Sequence, residues 1–261
     1  MSKLSFAQNA AGLLAKQTVC DSQVEVEALL ADIRSRKGVQ VVSFLNKDAI
    51  VRAQGDPAFR KALLASDWLL RDGIGVKLMM DWAGMASGEN LNGTDLIPRI
   101  IDGFHRATPL ALLGTRDPRL SLARDRLAKR GFTRIEMLDG FQPDQTYVDH
   151  LRASDARLVI LAMGMPKQER VAMMLAADPV LAARDITVVN GGAILDFMSG
   201  DVARAPLWMR KTGLEWLYRF GREPLRLAPR FINTFSYLLK SKLRAGQVAR
   251  ALAETHQGTR T

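Results

Sequence analysis

A single cysteine, Cys20, excludes an internal disulfide and leaves no second thiolate for a metal, a pattern that fits a reducing compartment. Histidine is almost as scarce: His105, His150 and His256 lie far apart and show no ligand spacing. No apolar run approaches the roughly 18–20 residues needed to cross a bilayer, and the first residues lack the apolar core of a signal peptide. No Walker phosphate loop is present. Gly73 and Gly75 supply two glycines of a dinucleotide fingerprint, but Leu78 stands where the third would be, which disfavours a nicotinamide cofactor. No cofactor is expected. Internal repeats and low-complexity segments are absent as well.

Acidic residues are outnumbered, 27 against 37 Lys and Arg, for a net charge of +10. The excess is local. Between Arg204 and Arg250, eleven Lys and Arg face only Glu215 and Glu223, so the rest of the chain is close to neutral. Trp208, Trp216, Tyr218 and Phe220 are interleaved with these cations. Such a segment suits phosphates met at an apolar boundary, which means nucleic acid, anionic lipid or a phosphorylated ligand.

With 261 residues, 48% of them apolar, the chain can bury a full core. Short aliphatic or β-branched runs at Val39–Leu45, Trp68–Leu70, Pro109–Leu113, Arg134–Leu138, Arg157–Met163 and Ile186–Val189 read as strands. Stretches of helical period, such as Arg119–Arg130 and Lys167–Ala177, lie between them. This alternation predicts an α/β fold, a Rossmann-like, mostly parallel sheet flanked by helices. Residues 1–200 are expected to form the core and residues 201–261 a basic helical appendage, with an amphipathic helix over Asn233–Ala251 and a frayed polar end over Glu254–Thr261.

Several strands run directly into glycine turns: Asp72-Gly73-Ile74-Gly75, Gly114-Thr115-Arg116, Met163-Gly164-Met165-Pro166-Lys167-Gln168-Glu169 and Asn190-Gly191-Gly192. In a parallel sheet these turns gather at the carboxyl edge, where ligands bind. Glycine there lets the backbone approach a phosphate, and the following helix start offers free N–H groups. Asp72 is the foremost candidate catalyst, because a carboxylate at that edge can accept a proton from an attacking hydroxyl. Capping the helix that begins near Ile74 explains it equally well. Asn46 presents an amide at the same edge or serves a turn. Thr94 and Asp95 precede the apolar helix Leu96–Phe104, where Thr94 reads as a cap.

Three runs carry a resemblance. LNGTDL (Leu91–Leu96), MGMPKQE (Met163–Glu169) and the stretch from Asp196 to Arg219 are similar to the WecG/TagA/CpsF family of bacterial glycosyltransferases, and Asp72 before Gly-x-Gly falls in matching order. The resemblance covers roughly Val39 to Arg230. It implies an inverting, metal-independent transferase that moves a sugar from a UDP-sugar to a polyprenyl-diphosphate-linked saccharide, as a peripheral protein on the cytoplasmic face of the inner membrane. No Asp-x-Asp pair, the usual holder of a divalent ion on a diphosphate, occurs in the chain. The cations of the tail are the alternative source of positive charge.

By the same resemblance Asp72 is the general base. Asn46, Gly73, Gly75, Thr94, Asp95, Gly114, Gly164, Lys167, Gln168, Glu169 and Gly192 are expected at the substrates. Arg204, Trp208, Arg210, Lys211, Arg219, Arg222 and Arg226 are expected at the lipid diphosphate and an anionic membrane surface. Departures at Asn90, at Phe44 and in the Asn190–Ala193 turn lean away from an N-acetylmannosamine-type donor. They point toward the GumM-like subgroup of xanthan type, with UDP-glucose as donor and a β-1,4 linkage in exopolysaccharide synthesis. An apolar face over Phe231–Leu239 offers membrane or subunit contact. A nucleic-acid-binding α/β protein also accounts for the basic segment, but leaves Asp72 and the glycine turns without a purpose.

Overall fold

A computed structural model describes residues 5–201 and 236–258, with isolated positions at 205–206, 208–209, 217–218 and 221 between them. Its strands are β1 (Val39–Leu45), β2 (Trp68–Arg71), β3 (Leu110–Gly114), β4 (Ile135–Leu138), β5 (Leu158–Ala162) and β6 (Ile186–Asn190). The helices that join and precede them are α1 (Phe6–Ala15), α2 (Gln23–Ser35), α3 (Lys47–Gly55), α4 (Pro57–Ala65), α5 (Ile74–Trp82), α6 (Gly93–Asp102), α7 (Arg119–Lys129), α8 (Asp144–Ala153), α9 (Lys167–Ala177), α10 (Pro179–Ala182) and α11 (Ile194–Ser199). Among the described residues the strands form one six-stranded, all-parallel sheet in the order β2-β1-β6-β5-β3-β4. The α/β class read from the alternation is the class observed.

Alternate residues of each strand serve opposite faces, as the two-residue period requires. Val42, Leu70, Leu112, Ile160 and Val189 bury against α2, α6, α7 and α11. Val41, Ala111, Leu113, Val159, Leu161 and Val188 point the other way, against α8 and α9. Leu45 and Leu69 continue that second face under α1, α3, α4 and α5. Burial on both faces explains why the strands are continuous apolar runs rather than alternating ones. Each fully buried Leu or Ile contributes on the order of 2 kcal/mol.

β2, β3 and β6 differ from their sequence-derived bounds in one informative way. Each gains a residue at the carboxyl end, namely Arg71, Gly114 and Asn190. A hydrophobicity pattern stops at a polar or glycine residue, whereas the ladder continues where the polar group finds a partner. Arg71 donates from Nε and Nη2 to the carbonyls of Ser87 and Gly88, and Asn190 Nδ2 donates to Ser43 Oγ. At Gly114 a Cβ would sit 2.3 Å from the Ala162 carbonyl oxygen, so only glycine lets β3 and β5 pair to their ends.

The C-terminal helix departs from expectation. It is not one helix over Asn233–Ala251: residues 236–243 are helical, Arg244 forms a turn, and a second helix spans Ala245–Gly258. The first residues of the expected helix, 233–235, lie outside the described residues. Helix continues through Gly258, where a frayed end from Glu254 was expected, because Val248, Ala251 and Leu252 pack into the cluster under α1 and fix the rotation of the segment. Tyr237 is also buried there, 5.2 Å from the Phe6 ring and within hydrogen-bond reach of Gln54 Nε2. The 236–258 segment therefore belongs to the same packed core as α1. Of the face expected over Phe231–Leu239, only Leu239 is an exposed large apolar residue among those described.

Candidate active site

The order of the strands sets the place of a ligand. From β3 the chain moves outward to β4, while from β5 it moves the opposite way to β6. β3 and β5 are neighbours, so their connections diverge, and a crevice opens outside their carboxyl ends. A cavity of about 810 Å³ lies along this edge.

Asn46, Asp72, Thr94, Gly164, Gln168 and Gly192 all line it. These are the expected base and five of the residues expected at the substrates; they follow β1, β2, β5 and β6 or belong to α6 and α9. Asp72 follows β2, with its N–H donating to the Leu45 carbonyl at 2.9 Å. The N-cap of α5 is Gly73, at φ +88°, and not Asp72. Gly73 N–H donates to Asn90 Oδ1 at 3.2 Å. Asn46 is the α3 cap, its Oδ1 accepting from Ala49 N–H at 2.9 Å, and the residue also lines the cavity.

Other expected residues stand back from the cavity. α6 begins at Gly93 and is capped by Asn92, not by Thr94; Asn92 Oδ1 accepts from Asp95 N–H and its Nδ2 donates to Asp95 Oδ2. Thr94 is left facing the cavity and Asp95 is drawn into the cap. Gly75 is buried against the Lys47 side chain, where a Cβ would lie 3.1 Å from Lys47 Cβ and Cδ. Lys167 Nζ donates to the Gly140 and Gln142 carbonyls at 2.9 and 2.5 Å and sits over the Tyr147 ring, clamping the loop after β4.

The glycine N–H groups are not free. Gln168 Oε1 accepts from Gly164 N–H at 3.2 Å and from Gly192 N–H at 3.0 Å. The turns after β5 and β6 are thus tied together by a side chain, where the sequence had suggested open donors for a phosphate. Gln168 Nε2 donates to Glu169 Oε1 at 2.8 Å. Glu169 is 3% exposed, and burial pushes its carboxyl up to about 7, against hydrogen bonds from Gln168 and its own backbone.

The far end of the cavity has a different chemistry. Arg116 lies 3.9 Å over the ring of Phe141, which is 64% exposed. Thr115 Oγ1 donates to Asp196 Oδ1 at 2.7 Å, and Arg119 pairs with Asp196 and Asp201. All line the cavity. None was named as a site residue from sequence, although Thr115 and Arg116 belong to a recognised glycine turn and Asp196 and Asp201 fall in a motif run. The available signal was position after a strand, and it was spent on the glycines. Arg204, Arg210, Lys211, Arg219, Arg222 and Arg226 lie outside the described residues; Trp208 is within them and 61% exposed.

A doubly covered parallel sheet with a polar cavity at its switch point, lined by Asp72 after β2 and by Arg116 and Phe141 after β3 and β4, defines a class: an α/β protein with a ligand-sized cavity at the carboxyl edge of its sheet. Residues 15–249 match the model of the glycosyl transferase WecG/TagA/CpsF family, and the chain belongs to that family. The match runs beyond both ends of the stretch that carries the sequence resemblance. It is a glycosyltransferase family, which implies a nucleotide-sugar donor and a lipid-linked acceptor. Among the described residues no helix is long and apolar enough to cross a membrane.

Proposed function

We propose that this chain is an inverting, metal-independent hexosyltransferase that moves glucose from UDP-glucose, in β-1,4 linkage, to a polyprenyl-diphosphate-linked sugar, in the synthesis of an exopolysaccharide or other cell-surface glycan. Asp72 takes the proton of the acceptor hydroxyl as that oxygen attacks the anomeric carbon. The new glycosidic C–O bond forms as the bond to UDP breaks, the diphosphate leaves with the electron pair, and the configuration inverts. The reading rests on one observation above all: Asp72 shares a cavity with Gln168 and with the Arg116–Phe141 pair. An exposed aromatic ring beside a guanidinium suits a nucleobase and its phosphates, which supports a reading with the donor nucleotide at that end and the acceptor at the Asp72 end.

The tail cations, Arg204, Arg210, Arg219, Arg222 and Arg226 with Lys211, offset charge on the departing and lipid-borne diphosphates. With Trp208 they hold the protein peripherally on the cytoplasmic face of the inner membrane, each cation near the surface contributing about 1 kcal/mol. Active-site closure and membrane association are thus assigned to residues 201–261, of which 236–258 also pack into the core with α1.

A panel of UDP-sugars assayed with polyprenyl-diphosphate-glucose, with the anomeric configuration of the product read by NMR, tests the proposal. It expects the fastest turnover with UDP-glucose and an inverted product. A retained configuration, or no transfer from any UDP-sugar, contradicts it. Flotation with anionic vesicles is expected to carry the protein upward; salt-sensitive binding to nucleic acid without lipid binding contradicts the membrane assignment.

A further inference from the structure

Glu169 is an expensive residue to keep. Its side chain is 3% exposed, and Oε2 has no hydrogen-bond partner among the described residues. A buried carboxyl without a paired cation is costly, and replacing it by an apolar group of similar shape is often neutral or better. It does not line the cavity, so contact with substrate does not explain it. Its side-chain partner is Gln168, whose Nε2 reaches Oε1 at 2.8 Å.

Gln168 has two N–H donors converging on one end of its carboxamide, from Gly164 and from Gly192. Two donors at one end require the oxygen there, and therefore the amino group at the other end. That amino group has two hydrogens. Glu169 receives one, and one remains. The bridged glycines sit at φ +79° and +58° on neighbouring turns that both line the cavity.

We propose that Glu169 is a positioning residue: by accepting from Gln168 Nε2 it holds the carboxamide oxygen on the two glycine amides, so that Gln168 offers a ligand one hydrogen-bond donor and no acceptor. The ligand group matched to it is an acceptor oxygen, such as a phosphate oxygen. Without Glu169 the carboxamide rotates, the two turns part, and the donor-side wall of the cavity loses its shape. The proposal rests on the reading that a nucleotide sugar occupies this cavity, but the lock itself does not depend on the ligand.

The test pairs Glu169→Gln, which keeps an acceptor oxygen for Gln168, with Glu169→Met, which does not. Amide hydrogen exchange at Gly164 and Gly192 is expected to stay slow in wild type and Glu169→Gln and to quicken at least about 10-fold in Glu169→Met. UDP affinity is expected to follow the same order, with Glu169→Gln within about 3-fold of wild type and Glu169→Met weakened by about 10-fold or more; KM for the donor rises more than kcat falls. Gln168→Met breaks the same link from the other side and is expected to free both amides, which covers the case in which Glu169→Met does not fold. Unchanged exchange at both glycines overturns the proposal whatever the donor is. Equal damage from Gln and Met at position 169 also overturns it. A wild-type protein that does not bind UDP, with the exchange pattern as expected, removes the nucleotide reading and leaves the lock standing.

Discussion

Thr115 Oγ1 donates to Asp196 Oδ1 across 2.7 Å, joining the turn after β3 to the first turn of α11. Thr115 is the one non-glycine residue with positive φ among those described, at +43°. A β-branched residue in that region costs on the order of 1–3 kcal/mol and persists only where its surroundings insist on it. Here they do: Thr115 N–H donates to the Ala162 carbonyl, its own carbonyl accepts from Gly140 N–H at 2.8 Å, and Asp196 takes the hydroxyl.

This arrangement orders two substitutions. Thr115→Val keeps the strain and loses the hydrogen bond, and is expected to destabilise by about 1–2 kcal/mol. Thr115→Gly loses the same bond but relieves the strain, so its cost is expected to stay under about 1 kcal/mol. Urea unfolding of the two variants checks the order. Thr115→Gly being the less stable of the two contradicts the account of strain.

Glu169 gives stability a pH dependence of definite sign. Its ordinary value is 4.5 and burial raises it to about 7 in the folded chain. Between those values the native state holds a proton that the unfolded state has released, so unfolding free energy falls as pH rises through this window and levels off above it. The loss is on the order of 3 kcal/mol. Glu169→Gln has no proton to lose. Denaturation at about pH 5 and about pH 8 is expected to show the variant gaining on wild type at the higher pH by this amount; parallel curves contradict the assignment.

Tyr237 ties residues 236–258 to α1 and α3 through Phe6 and Gln54. Its removal in Tyr237→Ala is expected to cost about 3 kcal/mol, measured by thermal or chemical unfolding. A change below about 1 kcal/mol would mean that the segment is dispensable to the core. The same packing means that a chain cut at Gly200 uncovers the α1 cluster, so the tail's part in catalysis is better tested by neutralising its arginines than by truncation.

The sheet was legible because its strands are buried on both faces and therefore unbroken apolar runs; β1 over Val39–Leu45 was readable to the residue. Asp72 and Gln168 were legible as residues following strands at a glycine turn. Less legible was what each polar group does with its neighbours. That Gln168 consumes the N–H groups of Gly164 and Gly192, or that Asn92 and not Thr94 caps α6, depends on side-chain directions that no spacing encodes. Arg116 and Phe141 come from turns 25 residues apart in sequence and meet only because β3 and β4 are adjacent. The path of the C-terminal segment was least legible, since Val248, Ala251 and Leu252 are set by the surface of α1 and not by any local signal.

Asp72 carries the central claim, and Asp72→Asn tests it most directly. The amide keeps the size of the side chain and cannot accept the acceptor's proton. With melting unchanged, transfer from UDP-glucose to polyprenyl-diphosphate-glucose is expected to fall by about 10²-fold or more while UDP binding is retained. A rate within a few-fold of wild type would show that the acceptor hydroxyl loses its proton to another group, and the proposed mechanism would be wrong.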